Sequence, residues 1–272
     1  MSHSAVDLAL AEAALVIARE AGRAIMTIYR EEDLGVTVKG DDSPLTRADL
    51  AAHRIIVDRL PALGEGWPVL SEESRAIDFD VRKGWRRYWL VDPLDGTKEF
   101  INRRDEFTVN IALVENGRPI LGVVTAPALG REWLAAEGCG AFAAEGERRR
   151  PIRAHGGDGP LRIVASKSHV TPELERFLAA VTEPTALVNI GSSLKFCLVA
   201  EGGADLYPRL GPTMEWDTAA AQAIVTEAGG RVETLAGTPL AYNKESLLNP
   251  YFMVTGLPPY DWRRYADALP DA

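Results

Sequence analysis

A chain of 272 residues, 46% hydrophobic and 25% charged, carries enough apolar material for a sizeable core in one large domain or two modest ones. Its formal charge of −9 argues against a general nucleic-acid or anionic-membrane surface, while a small anion can still bind where local cations reverse the field. Two distant cysteines and only four histidines argue against a disulfide framework or a zinc site and leave carboxylates as the main metal donors.

Apolar positions at helical intervals between about Ala5 and Tyr29 predict a long opening helix. Its apolar face is interrupted by Glu12, Arg19, Glu20 and Arg23, and no apolar run nears the roughly 20 residues that span a bilayer, so a cytoplasmic location is the expectation. Val36 to Val38 is a strand candidate running into the polar loop Lys39-Gly-Asp-Asp-Ser-Pro44. Thr46 then fits an N-cap, with Asp49 completing an acidic capping box for a helix to about Leu60. Short strands are expected at Trp67 to Leu70, ending at Glu72-Glu73, and at Arg87 to Val91, ending at an Asp92 turn. Phe107 to Val114 and Pro119 to Thr125 flank an Asn-Gly hairpin turn, and Glu132 to Ala136 adds another antiparallel strand. The charged stretch Glu145 to Arg150 and the glycine-rich Ala154 to Pro160 mark the expected boundary between residues 1–150 and 151–272. Beyond it strands and helices alternate: Leu161 to Ala165, Pro172 to Val181, Ala186 to Ile190, Ser192 to Ala200, Ala204 to Tyr207 and Trp216 to Ala228. An α+β first half and an α/β second half follow.

The stretch Asp92-Pro-Leu-Asp-Gly-Thr97 combines hard oxygen ligands with a Gly-Thr turn whose N–H groups can face an anion. Either acid alone is explained by a capped Asp-Pro turn. Two acids at the end of a buried strand cost stability unless something positive joins them. Glu72 and Glu73 end the preceding strand, and adjacent residues of an extended turn would point to opposite sides, one toward metal and one toward water. Asp217 stands at a helix start, where complementing the helix dipole and reaching the Asp92 turn are both open readings. Thr46 and Asp49 can be a capping pair alone, and the Lys39 loop either a surface loop or a mobile lid.

Taken together, Ser71-Glu-Glu-Ser74, Asp92-Pro-Leu-Asp-Gly-Thr97 and Trp216-Asp-Thr-Ala-Ala220 resemble the inositol monophosphatase superfamily of metal-dependent, lithium-sensitive phosphatases, over nearly the whole chain. Within it, Lys39 to Thr46, Asp95-Gly-Thr-Lys-Glu-Phe-Ile101, Gly191 to Lys195 and Ala204 to Arg209 are similar to bacterial 3′(2′),5′-bisphosphate nucleotidases. The resemblance implies a five-layer α-β-α-β-α sandwich of the inositol monophosphatase/fructose-1,6-bisphosphatase type, with the site between the two halves. It implies two or three Mg²⁺ ions held by Glu72, Asp92, the Leu94 carbonyl, Asp95 and Asp217. Gly96 and Thr97 resemble the phosphate-binding turn, and Glu73, or Asp49 with Thr46 or Thr97, would orient the attacking water. His169, Ser192, Lys195 and Arg209 match positions near the nucleotide and its second phosphate. Lys98 and Glu99 stand where inositol monophosphatases usually have threonine and asparagine, which shifts the expected substrate to adenosine 3′,5′-bisphosphate, with its sulfated form also considered. Inositol-1-phosphate and histidinol phosphate are the alternatives within the superfamily, and a non-catalytic phosphate-binding protein is the alternative outside enzymes. A sulfur-assimilation role follows, with no nucleic-acid polymer as partner; a homodimer and loose attachment at the inner membrane stay open.

Overall fold

The structure, a computed structural model, describes residues 6–40, 43–156, 159–165 and 171–270. Helix α1 (Leu8–Tyr29) is capped by Asp7, whose carboxylate accepts the Leu10 N–H, and buries a stripe including Leu15, Ala18 and Ile25. A small ribbon, β1 (Thr37–Val38) with β2 (Pro44–Leu45), leads into α2 (Arg47–Arg59). There follow β3 (Val69–Ser71), the single turn α3 (Phe79–Arg82), β4 (Arg87–Asp95) and α4 (Thr97–Ile101). Strands β5 (Thr108–Glu115) and β6 (Arg118–Ala126) form the predicted hairpin; Asn116 and Gly117 have φ of 50° and 74°, the left-handed pair its tight turn requires. With β7 (Arg131–Ala136), β8 (Gly140–Glu145) and β9 (Arg148–Ile152) they make a seven-stranded sheet in sequence order. Only its β3–β4 pair is parallel.

Two expectations change here. The charged stretch Glu145 to Arg150, read as part of the boundary, is instead the turn and second strand of the β8–β9 hairpin. An edge strand tolerates Arg148-Arg149-Arg150-Pro151 because one side of it has no ladder to complete. Strand β4 also does not stop at Asp92. Pairing resumes at Asp95 opposite Thr108, and the irregularity between them is a bulge that re-aims both acids.

The second half supplies β10 (Leu161–Ala165), α5 (Pro172–Ala180), β11 (Thr185–Asn189), α6 (Leu194–Ala200), β12 (Leu206–Arg209), α7 (Glu215–Glu227), β13 (Arg231–Thr234) and β14 (Phe252–Thr255). A five-stranded sheet in the order β11-β10-β12-β14-β13 results, parallel on one side and antiparallel on the other.

Strand alternation determines the layering. Val91, Ile111 and Val123 face Leu15, Ile25 and Ile56 of α1 and α2. Their neighbours Leu90, Ala112 and Val124 face a second cluster containing Phe196 and Ile224 of α6 and α7 and Val164 and Val254 of the second sheet. Beyond that sheet, Ile163, Leu206 and Met253 pack on Phe177 and Trp262. The layers run α-β-α-β-α. Gly122 sets how closely the middle helices approach: a Cβ there would lie 2.0 Å from the Ala220 carbonyl oxygen. That approach fixes the height of the first turn of α7, where Asp217 sits.

Candidate active site

The ends of β3 and β4 lie side by side because the two strands pair in parallel, and Glu72 N–H donates to the Val91 carbonyl at 3.1 Å. This brings the predicted acids together. Asp92 is 1% exposed, and its Oδ1 accepts the Leu94 N–H at 3.0 Å, which holds the bulge. Burial, then the charges of Glu72, Asp95 and Asp217, push the Asp92 carboxyl well above the usual carboxylate range. Asp95 is raised by burial, although Lys195 and the Ser193 N–H oppose the rise. Asp217, in the first turn of α7, accepts the Met214 N–H at 2.8 Å. Burial, with Asp95 and Glu72, pushes it up to about 8. Four acids from β3, β4 and α7 therefore feel one another across the two halves.

Lys39 occupies part of this region. Its Nζ donates to Glu72 Oε1 at 2.7 Å and to Glu73 Oε1 at 2.5 Å. Burial opposes its charge, yet Glu72 and Glu73 hold the ammonium charged. The two glutamates thus turn toward one cation rather than to opposite sides, because Glu72 and Glu73 lie in a turn and not in extended chain. Among the described residues, no group of three or more His, Cys, Asp or Glu side chains is arranged to hold a metal ion as the side chains stand. The donor set nevertheless fits a divalent cation. It is all oxygen, its carboxylates are half-buried or, for Asp92, fully buried, Asp92 and Asp217 are raised by burial and by their acidic neighbours, and a lysine ammonium already takes the cationic place at Glu72.

Thr46 and Asp49 do form the capping box: Asp49 Oδ2 accepts the Thr46 N–H at 2.8 Å and its hydroxyl at 2.6 Å. The cap also extends into the site. Thr97 Oγ1 lies 3.3 Å from Asp49 Oδ1 and equally far from the Leu94 carbonyl. Burial raises the Asp49 carboxyl, against the pull of the Thr46 hydrogen bonds. Gly96 begins α4 with φ +91°, and a Cβ there would press to 3.1 Å from the Glu106 carbonyl oxygen, so this turn requires glycine.

A cleft of about 220 Å³ runs from Glu72 and Asp95 past Gly96 and Thr97 to Ser192, Lys195, Arg209 and Asp217. Ser192 has φ 47°, and its Oγ is buried without a hydrogen-bond partner. Lys195 Nζ donates to the Ser192 carbonyl at 2.7 Å; burial, opposed by Asp95, pushes its ammonium down to about 8. Arg209 is tied to Thr213 Oγ1 and the Pro212 carbonyl. His169, and Asp41 and Asp42 of the Lys39 loop, lie outside the described residues. Cleft residues given no role in the sequence reading include Tyr207 and Phe196, whose rings stand 5.3 Å apart and nearly perpendicular. Tyr207 precedes Arg209 by two on a strand, so period-two alternation could have placed both on one face. Among the described residues no helix is long and apolar enough to cross a membrane.

Comparison with known proteins agrees with this geometry. Residues 8–255 match the inositol monophosphatase family. The chain is 52% identical over 241 residues to the 3′(2′),5′-bisphosphate nucleotidase CysQ of Escherichia coli K12, covering 88% of this chain and 96% of that one. It is 40% identical to the Haemophilus influenzae protein of the same name, over 92% of this chain and 93% of its relative. The crystal structure of CysQ from Bacteroides thetaiotaomicron superposes with a TM-score of 0.82 at 45% identity, covering 90% and 96% of the two chains. SuhB from Bartonella henselae superposes at 0.77 with 27% identity, over 97% and 99%. The acids at the ends of β3 and β4 and on α7, the Gly-Thr turn and a family match over residues 8–255 lead to one conclusion: this chain belongs to the inositol monophosphatase family.

Proposed function

We propose that this protein is a Mg²⁺-dependent 3′(2′),5′-bisphosphate nucleotidase that hydrolyses the 3′-phosphate of adenosine 3′,5′-bisphosphate, and of its sulfated form, to release phosphate. The observation that carries the substrate class is the cleft itself. Its lining combines the acids Glu72, Asp95 and Asp217 and the Gly96-Thr97 turn with two cationic side chains, Lys195 and Arg209. Such a cleft suits a small molecule with two phosphates better than one with a single phosphate. The relatives named bisphosphate nucleotidases, at 52% and 40% identity, support the same reading.

Glu72, Asp92, Asp95, Asp217 and the Leu94 carbonyl would hold two or three Mg²⁺ ions, which supply an acidified water and neutralise charge on the attacking and leaving oxygens. The protein's own groups do the positioning. The N–H groups of Gly96 and Thr97 receive phosphoryl oxygens. The chain Thr46–Asp49–Thr97 orients the Thr97 hydroxyl toward the attacking water, with Glu73 as the second candidate for that task. Lys39, now paired with Glu72 and Glu73, would have to give up Glu72 for a metal to be held there, and its ammonium would then be free for a phosphate. Ser192, Lys195 and Arg209, with His169, take the nucleotide and its second phosphate. The division into 1–150 and 151–272 belongs to the same reading, with the break drawn just after β9 at Ile152. Support comes from the seven-stranded sheet ending at Ile152 and the second sheet beginning at Leu161, with Asp217 crossing over on α7. Lithium sensitivity, a role in sulfur assimilation and a cytoplasmic site of action belong to the same reading.

A substrate panel with Mg²⁺ tests it. Adenosine 3′,5′-bisphosphate is expected to give the highest kcat/KM; faster turnover of inositol-1-phosphate or histidinol phosphate would defeat the substrate assignment.

A further inference from the structure

Beneath the cleft, β5 meets the start of α6 in a polar network that none of the roles above uses. From Thr108 to Val114, strand β5 is apolar except at Thr108 and Asn110, which alternation places on one face. Thr108, Asn110 and Ser193 are all fully buried. Ser193 Oγ donates to Asn110 Oδ1 at 2.8 Å and lies 2.8 Å from Thr108 Oγ1. Since the Ser193 hydroxyl proton is committed to Asn110, Thr108 donates to Ser193. The Ser193 N–H donates to Asp95 Oδ2 at 2.6 Å, and Asn110 Nδ2 and Thr108 Oγ1 approach that same oxygen at 3.5 Å. The three contacts that reach Asp95 all fall on Oδ2. Among the described residues, no hydrogen bond reaches Asp95 Oδ1.

We propose that Thr108, Asn110 and Ser193 are positioning residues that make Asp95 a one-oxygen ligand, occupying Oδ2 and turning Oδ1 toward the cation. The inference rests on Asp95 being a metal ligand, as read above. It adds a link between the halves. Ser193 lies between Ser192 and Lys195, so the segment that lines the substrate wall also holds the carboxylate of the metal wall. The metal site is therefore complete only when the start of α6 is seated against β5. A backbone N–H at 2.6 Å anchors the carboxylate, and the two hydroxyls and the amide keep that N–H in place. Partners of this kind around a ligand carboxylate change metal affinity about 10-fold or more when removed.

The test uses four variants of the full chain: Thr108→Val, which removes the hydroxyl at nearly constant shape, Ser193→Ala, the double variant of these two, and Ser193→Thr, which keeps a hydroxyl. Mg²⁺ affinity is measured by titration calorimetry on substrate-free protein, beside melting in EDTA. Ser193→Ala and Thr108→Val are expected to weaken Mg²⁺ binding about 10-fold each. Ser193→Thr is expected to restore most of it. The double variant is expected to lose little more than either single one, because both act through one oxygen. In turnover, the half-saturating Mg²⁺ concentration rises while kcat at saturating Mg²⁺ stays near wild type. Unchanged Mg²⁺ affinity in both variants, even with lowered melting in EDTA, would make the network merely structural and overturn the proposal. A wild-type protein that binds no Mg²⁺ would overturn the metal reading beneath it, a different result from unaltered variants.

Discussion

Replacing Asp217 with asparagine separates the electrostatic cost of the acid cluster from its use. In the metal-free protein, burial and the neighbouring charges of Asp95 and Glu72 hold this carboxyl at about 8, against an ordinary value of 3.8. The unfolded chain ionises near the ordinary value. Between the two, the folded protein keeps a proton that the unfolded chain has lost, so the unfolded state binds fewer protons and stability falls as pH rises. The contribution is intact below about pH 4 and gone above about pH 8. A rise of about four pH units at about 1.4 kcal/mol each sets a ceiling near 6 kcal/mol. Cleft water reaches Asp217, and screening reduces this to about 2 kcal/mol. Asparagine can still accept the Met214 N–H that Asp217 now receives, so the start of α7 keeps its cap. In EDTA the Asp217→Asn variant is therefore expected to exceed wild type by about 2 kcal/mol near pH 8 and to match it near pH 4. Urea unfolding across that range measures the difference. Added Mg²⁺ is expected to stabilise wild type and to do little for the variant. Equal pH dependence of the two metal-free proteins, or a variant less stable near pH 8, would refute the reasoning.

Gly122→Ala drives a Cβ into the Ala220 carbonyl and is expected to cost about 2–3 kcal/mol in urea unfolding and to weaken Mg²⁺ binding by lifting α7. Thr46→Ala removes a cap worth about 1 kcal/mol and also lowers kcat, whereas a cap without a catalytic role would lower stability alone. Lys39→Met frees Glu72 and Glu73 from their ammonium and is expected to tighten Mg²⁺ binding several-fold in calorimetry while raising KM for the bisphosphate; weaker Mg²⁺ binding would contradict the exchange of lysine for metal. Asp92→Asn is expected to abolish turnover in the phosphate-release assay while the protein stays folded by circular dichroism, and retained activity would contradict the role assigned to the buried acids.

Most strands and helices were legible in local pattern because their signals are local. The α1 stripe, the Thr46–Asp49 box and the Asn116-Gly117 turn each depend on residues a few positions apart. The β8–β9 hairpin was missed because an edge strand with four exposed positions carries no apolar alternation to read. The β4 bulge was missed for a related reason. Asp92-Pro-Leu-Asp95 has turn composition, and only its pairing with β5 returns Asp95 to the ladder.

By itself the sequence determined which side chains can do chemistry: the oxygen donors of Glu72, Asp92, Asp95 and Asp217, the Gly-Thr turn, and through their order the family. Tertiary structure decided how those groups meet. Parallel pairing of β3 with β4 sets Glu72 beside Asp92, and the contact at Gly122 brings Asp217 in from residues more than a hundred positions away. Ser193 reaches Asp95 across 98 positions of chain. Short-range periodicity carries no information about such separations, because what fixes them is the packing of two sheets on shared helices.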